Sequence, residues 1–245
     1  MVRGLRAVWR LAHALWHALG GLLTIVFLFP RLSQAQRQAR VQAWARRMLA
    51  VLGIGLEVRG QPPAQGPMLL VANHISWLDI LVVHAARYCR FVSKADVKRW
   101  PLIGALATGA GTLYIERESR RDAMRVVHHM AERLQAGDIL AVFPEGTTSD
   151  GVALLPFHAN LVQAAIAAQV PAQPVALQFV ETATGRVSLA PCYIGDDTLL
   201  ASLWRTVTAE PISAVVTFGE PQRAEGRDRR RWAVDLREAV QDLKG

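Results

Sequence analysis

Cysteine is scarce: Cys89 and Cys192 are the only two in the chain. Two isolated cysteines make no metal-ligand pattern and allow at most one disulfide, which points to a reducing compartment. Acids are missing from the first quarter. Positions 1–60 hold nine Arg, no Lys and a single acid, Glu57, a net of +8, whereas the remainder holds 19 bases against 19 acids. The excess positive charge therefore belongs to an N-terminal appendage, and the body is neutral. Such asymmetry implies an anionic partner for the appendage, either a membrane surface or a nucleic acid. Formal charge is absent altogether from Leu11 to Phe29. No clear small-residue cleavage site follows that stretch, which argues against a removable leader. Internal repeats and low-complexity tracts are also absent. What is abundant is apolar surface: 51% of the residues are hydrophobic, ample for a core and too many for a disordered chain. The length fits one large domain, or one domain with an appendage.

Within the appendage, Arg3, Arg6, Arg10, His13 and His17 recur at steps of three and four and fall on one helical stripe. Trp9, Leu11, Leu15, Trp16 and Leu19 cover the rest. A spanning helix needs about 20 mostly apolar residues, and this segment stands at that threshold. Arginines flank it on both sides, so the positive-inside rule assigns no orientation. A second helix is expected from Ser33 to about Leu52, with Val41, Trp44, Met48, Val51 and Leu52 on one face. Two consecutive basic amphipathic helices bearing Trp fit a membrane anchor lying in the interface; a helix pair buried against the body is the competing arrangement. Nucleic acid fits less well, because the aromatics lie inside apolar runs and are not interleaved with bases as stacking platforms. The expected division is a membrane-anchoring helical unit over residues 1–55 and a second domain over 56–245.

After the Pro/Gly loop QPPAQGP, short apolar runs alternate with helical patterns. Strands are expected at 68–72, 90–93, 112–116, 139–143, 174–180, 186–190 and 213–218, and helices at 77–87, 120–136, 158–168, 198–206 and 228–243. Alternation of this kind argues for an α/β fold around a central sheet.

Three stretches carry chemistry. VANHISWLDI (71–80) takes an imidazole and a carboxylate into an apolar run. MLLVAN reads as a strand, and a helix begins near Ser76, which can cap it. His74 then lies in the strand-to-helix turn, at the carboxyl end of a strand, where open α/β sheets place their sites. Asp79, about one turn into the helix, can reach back to His74 Nδ1 and leave Nε2 free as a general base. A capping or core role for this pair is the plainer alternative. FPEGTTSDG (143–151) is a polar loop after a second strand, carrying Glu145, Gly146, Thr147 and Thr148; it offers N–H groups and hydroxyls to an anion or a polyol. GTLYIERESRR (111–121) places Arg117 at the end of a third strand, suited to bidentate phosphate binding. Arg120 and Arg121 are equally explained as a solvated cluster with Glu116 and Glu118.

Together these stretches resemble the motif blocks of the glycerolipid acyltransferases, the family of 1-acyl-sn-glycerol-3-phosphate (lysophosphatidic acid) acyltransferases. NHISWLD matches the His-x4-Asp motif, GTLYIER the second block, FPEGT the third, and VPAQPVAL (170–177) the fourth, in the family order across about residues 60–180. The resemblance implies an α/β domain with a central, mostly parallel sheet flanked by helices and an N-terminal membrane-associated helical hairpin. It implies transfer of a fatty acyl group from acyl-CoA or acyl carrier protein to a lysolipid hydroxyl, giving phosphatidic acid when the acceptor is 1-acyl-sn-glycerol-3-phosphate. On that reading His74 is the base and Asp79 its orienter, Arg117, Lys94, Glu145, Gly146 and Thr147 bind substrate, no metal or resident cofactor is needed, and the protein sits at the cytoplasmic face of a bacterial inner membrane, monotopic or single-pass. No G-x-S-x-G elbow is present, in keeping with direct attack by the acceptor alcohol and no acyl-enzyme. Oxyanion donors are expected among the N–H groups of residues 75–77 or 146–148. One departure stands out. The third block often continues with Arg, and this chain has Thr148, which leaves an acceptor phosphate to Arg117 and Lys94 and leaves room for another acceptor such as lyso-ornithine lipid.

Overall fold

The computed structural model describes residues 2–115 and 120–245. Helix α1 (Val2–Leu23) runs on through a π-helical turn and a short 3-10 turn at Pro30. Ser33 then opens α2 (Gln34–Leu52) with a capping box: Gln36 N–H donates to Ser33 Oγ and Ser33 N–H to Gln36 Oε1, satisfying two otherwise orphaned donors. Gly53, in the left-handed region at φ +77°, closes α2 against the Arg10 guanidinium. The chain continues through β1 (Ile54–Gly60), β2 (Met68–Ala72), α3 (Leu78–Ala86), β3 (Arg90–Lys94), α4 (Ile103–Gly109), β4 (Leu113–Ile115), α5 (Arg120–Gln135), β5 (Ile139–Val142), α6 (Ala159–Ala168), β6 (Ala172–Glu181), α7 (Leu199–Thr208), β7 (Ile212–Phe218) and α8 (Arg229–Asp242).

The strands form one seven-stranded sheet in the order β1-β7-β6-β2-β5-β3-β4. Every neighbouring pair is parallel except β6–β7, so the expectation of a mostly parallel central sheet holds. The strand period of two sends alternate side chains to opposite faces. Leu70, Ala72, Ile139 and Ala141 join α2 and α3 on one side; Leu69, Val71, Leu140 and Val142 join α5, α6 and α8 on the other. The central strands are thus covered on both faces, which is why they read as unbroken apolar runs.

Two elements were not anticipated. β1 is a mostly exposed edge strand with glycines at its second and last positions; α4 is seven residues long and holds two glycines. Residues 186–190, expected to form a strand, make only an isolated bridge, Val180 to Val187. The buried face of α2 also differs from the expected one. It is Val41, Ala45, Met48, Leu49 and Leu52, and it packs into the core beside α3.

α1 lies along the body. Ala7, Ala18 and Phe29 are buried; His17 and Trp44 stack with centroids 5.3 Å apart and exchange hydrogen bonds through each other's carbonyls, which ties α1 to α2. Most other apolar side chains of α1 face outward, including Leu5, Trp9, Leu15 and Trp16. Gly4–Arg31, 28 residues, is long and apolar enough to cross a membrane by length and composition.

Candidate active site

Parallel pairing of β2 with β5 brings their carboxyl ends to one edge of the sheet, and the two loops that leave them meet there. At the end of β2, Asn73 is fully buried. Its side chain donates to Leu177 O at 3.0 Å and accepts from Leu177 N–H at 2.7 Å. An amide side chain thus replaces the next ladder pair and satisfies the β6 backbone where β2 turns away.

His74 follows. Its Nδ1 lies 2.8 Å from Asp79 Oδ2, the contact that five-residue spacing across a strand-to-helix turn permits. Asp79 is fully buried, and the same Oδ2 accepts the N–H groups of Ile75 at 2.6 Å and Ser76 at 2.9 Å. The carboxylate therefore shapes the turn as well as meeting the imidazole. Because Nδ1 faces this acceptor, it carries the proton and Nε2 keeps the lone pair. Ser76 does not cap α3 as expected: Trp77 occupies the N-cap position without a side-chain cap bond, and Ser76 Oγ accepts Leu78 N–H at 3.3 Å in the preceding turn. The imidazole is held on its face as well: Phe143, the residue after β5, stacks on it with centroids 4.0 Å apart and planes 6° from parallel. Phe91 stacks behind Phe143 at 5.5 Å. A ring clamped at one nitrogen and one face has little rotational freedom, while its side chain remains 20% exposed.

The FPEGTTSDG loop is fastened to this turn by Glu145. Its Oε1 accepts His74 N–H at 2.7 Å and its Oε2 accepts Leu155 N–H at 2.9 Å. Ser149 N–H donates to His74 O at 2.9 Å. Glu145 is buried, with both oxygens turned to the protein's own backbone, so it positions the two loops against each other. Burial pushes its carboxyl above the usual carboxylate range, and the bonds from His74 and Leu155 pull it back. A raised acid favours folding when protonated, so this contribution is present at low pH and lost as pH rises through the raised value. Glu145→Gln should abolish that dependence. It also turns one amide N–H₂ toward a backbone donor, at a cost of about 1–3 kcal/mol, to be read as a lower melting temperature at neutral pH.

The remaining sequence-predicted residues spread around this edge. Gly146 adopts φ +76°, and a Cβ there would come within 3.0 Å of the His158 ring, so the loop requires glycine. Thr147 is exposed. Lys94 ends β3 and is exposed. Arg117 lies outside the described residues. Thr148 is not a solvent residue: its hydroxyl donates to Tyr193 O, and Tyr193 N–H donates to Ile75 O at 3.1 Å, so the segment around Tyr193 tethers both loops. Of the expected oxyanion donors, Ile75 and Ser76 N–H are taken by Asp79 and Gly146 N–H by Phe143 O. The N–H groups of Trp77, Thr147 and Thr148 remain without a protein acceptor among the described residues. No group of three or more His, Cys, Asp or Glu side chains among the described residues could hold a metal ion. Asn73 and Phe143 escaped sequence reasoning; a polar residue ending an all-apolar strand was the available signal for Asn73.

A fixed, partly exposed imidazole oriented by a buried carboxylate at the carboxyl edge of an α/β sheet has the geometry that can take a proton from a hydroxyl or a water. The Acyltransferase family profile matches residues 55–178, and the chain belongs to that family. Over 228 residues it is 41% identical to the lyso-ornithine lipid O-acyltransferase of Pseudomonas aeruginosa, covering 91% of this chain and 87% of that protein. Over 207 residues it is 38% identical to the 1-acyl-sn-glycerol-3-phosphate acyltransferase of Neisseria gonorrhoeae, covering 83% and 80%. The crystal structure of the 1-acyl-sn-glycerophosphate acyltransferase PlsC from Thermotoga maritima shares the fold, with a TM-score of 0.68 at 21% identity over 98% of both chains. The outward-facing apolar α1 has the length and composition that association with a membrane requires.

Proposed function

We propose that this enzyme transfers a fatty acyl group from a thioester, acyl-CoA or acyl carrier protein, to the free hydroxyl of a lysolipid, with 1-acyl-sn-glycerol-3-phosphate as acceptor and phosphatidic acid as product. The observation that carries the reading is the His74–Asp79 pair, bonded through Nδ1 with the imidazole 20% exposed. His74 Nε2 takes the hydroxyl proton as the acceptor oxygen attacks the thioester carbon. Asp79 steadies the imidazolium that results. The carbon–sulfur bond then breaks, and the thiolate leaves with the proton returned by His74. Neither a metal nor a resident cofactor enters. Trp77, Thr147 and Thr148 N–H groups are candidates for the oxyanion; Arg117 and Lys94 would hold the acceptor's phosphate, and Glu145 and Gly146 shape the loop beneath it.

A second acceptor, lyso-ornithine lipid, is favoured by a specific observation. Thr148 stands where related chains often carry Arg, and its hydroxyl is committed to Tyr193 O, so no cation projects from that position. The Pseudomonas relative named for that acceptor adds weight. Purified full-length protein in mixed micelles, given labelled acyl-CoA or acyl carrier protein and each lysolipid in parallel, tests both readings; no transfer to either would overturn them. With the phosphate-bearing acceptor, Arg117→Ala should raise KM by a factor worth about 1.5–3 kcal/mol, the strength of a charge-assisted contact. Arg117→Lys should recover only part, since an ammonium lacks the fork. Equal losses on both lysolipids would remove the phosphate role.

Within residues 1–55, α1 would be the membrane-facing unit, and α2 its bridge to the domain over 56–245. α1 and the turns that follow it touch the body at Ala7, Ala18 and Phe29, which suits a monotopic helix lying in the interface. The cytoplasmic face of a bacterial inner membrane supplies the anionic lipid that the surrounding arginines match.

A further inference from the structure

α7 carries apolar side chains on its outer as well as its inner side. From Thr198 to Ala209 its only formal charge is Arg205, whose guanidinium folds back onto the protein while its side chain stays 39% exposed. The guanidinium donates to Ala190 O at 3.0 Å and Cys192 O, and pairs with the Asp197 carboxylate at 2.7 Å. Ser202, Thr206 and Val207 are buried. The outward face is apolar: Leu200 is 79% exposed, Trp204 one turn later is 45% exposed, and Ala201 lies between them. Leu203 and Val207 already pack inward, so the exposed Leu200 and Trp204 are additional to the apolar face that the core covers.

The surroundings say what covers this face. α7 sits beside the N-terminal part of α1, where a cleft is lined by Arg6, Arg10, Val207 and Glu210. There α1 also turns Leu5 and Trp9 outward. The exposed side chains of α7 therefore lie beside a helix that also turns its apolar side chains outward. The Trp of α7 is the side chain that settles at lipid headgroups, and the exposed Arg6 nearby complements anionic lipid. On its inner side α7 reaches the site, for Trp77 Nε1, within the His74–Asp79 segment, donates to Ser202 Oγ at 3.1 Å.

We propose that α7 is a second membrane-contact element, docking Leu200 and Trp204 into the interface of an anionic lipid bilayer beside α1 and setting the His74 turn at a fixed height over the surface from which an acyl chain enters. The proposal rests on the membrane association of the proposed function and adds to it a defined surface of the body.

The test uses the full chain in phosphatidylcholine–phosphatidylglycerol vesicles without substrate, so its outcome is separate from acyl transfer. An environment-sensitive fluorophore is placed on Leu200→Cys, on Leu5→Cys in α1, and on Val234→Cys in α8, across the sheet. Cys89 and Cys192 stay unlabelled: both are buried, which raises their thiols, Cys192 to about 11. The expected result is a blue shift and a severalfold intensity rise at positions 5 and 200, quenched by lipids carrying a nitroxide in the upper acyl chain and not by aqueous iodide, with position 234 unchanged. In addition, Leu200→Gln/Trp204→Gln should lower the vesicle partition coefficient by roughly an order of magnitude. A lipid-like signal at position 5 with a water-like one at 200 overturns the α7 proposal and leaves membrane association standing. Water-like signals at both overturn the two together. A probe at 200 shielded from both quenchers, as under a second copy or a partner protein, also overturns it.

Discussion

His74→Ala should lower kcat by about 10²–10⁴-fold, the usual loss on removing a general base, and leave the fold intact. The imidazole contributes one hydrogen bond, to Asp79, and one stacking contact, with Phe143. The backbone around it is held independently, through its N–H to Glu145 and its carbonyl from Ser149, and neither bond needs the side chain. Asp79 Oδ2 keeps two of its three donors, Ile75 and Ser76 N–H. The stability loss should therefore be about 1–2 kcal/mol, visible as a modest fall in melting temperature. Single-turnover measurement of acyl transfer separates chemistry from product release. A variant turning over at close to the wild-type rate would sink the base assignment. Phe143→Leu should reproduce a smaller part of the loss, because a leucine keeps the apolar wall and gives up the parallel ring that fixes the imidazole plane.

The parts of this site that could be read from the chain are those built from local geometry. A His at the end of an apolar strand and an Asp in the first turn of the following helix must lie close, whatever else the protein does. The central strands were equally legible, because residues buried on both faces leave continuous runs such as MLLVA and ILAV. What escaped was either too short or too exposed to leave a pattern, as in β1 and α4, or was set by partners distant in sequence. Asn73 meets Leu177 across 104 residues, and Trp77 meets Ser202 across 125; no spacing rule anticipates either. Glu145 shows a subtler limit. Its place in a polar loop suggested a group offered to substrate, yet both its oxygens face backbone N–H groups. The apolar side of α2 was visible as a stripe, but the stripe does not say whether lipid or protein covers it, and here α3 and the sheet do.

Asp79→Asn should be nearly as damaging to turnover as loss of the imidazole itself, through charge and without collapse of the turn. Oδ2 carries the three engaged donors, whereas Oδ1 is buried with no hydrogen-bond partner among the described residues. An asparagine can therefore place its carbonyl oxygen at the Oδ2 position and keep the bonds from Ile75, Ser76 and His74. Its amide nitrogen then occupies the unpartnered side. That orientation leaves one buried N–H₂ unsatisfied, a cost of about 1–3 kcal/mol, so the protein should melt lower and still fold. The opposite orientation sets an N–H₂ against three donors and is excluded by repulsion. With geometry retained, the missing component is the negative charge beside the imidazolium that forms when His74 takes the acceptor's proton. Attraction between unit charges near 3 Å in a shielded site amounts to several kcal/mol, enough to lower kcat by about 10²–10⁴-fold, while KM for both substrates should change little, because Asp79 is fully buried and touches neither. A kcat loss at constant KM is the signature of an interaction made as the transition state forms. Asp79→Ala provides the contrast: it strips the acceptor from Ile75 and Ser76 as well, and should fail in the melting experiment as well as in turnover. If Asp79→Asn instead raised KM and spared kcat, the carboxylate would be a feature of the turn alone, and His74 would act without a charged partner.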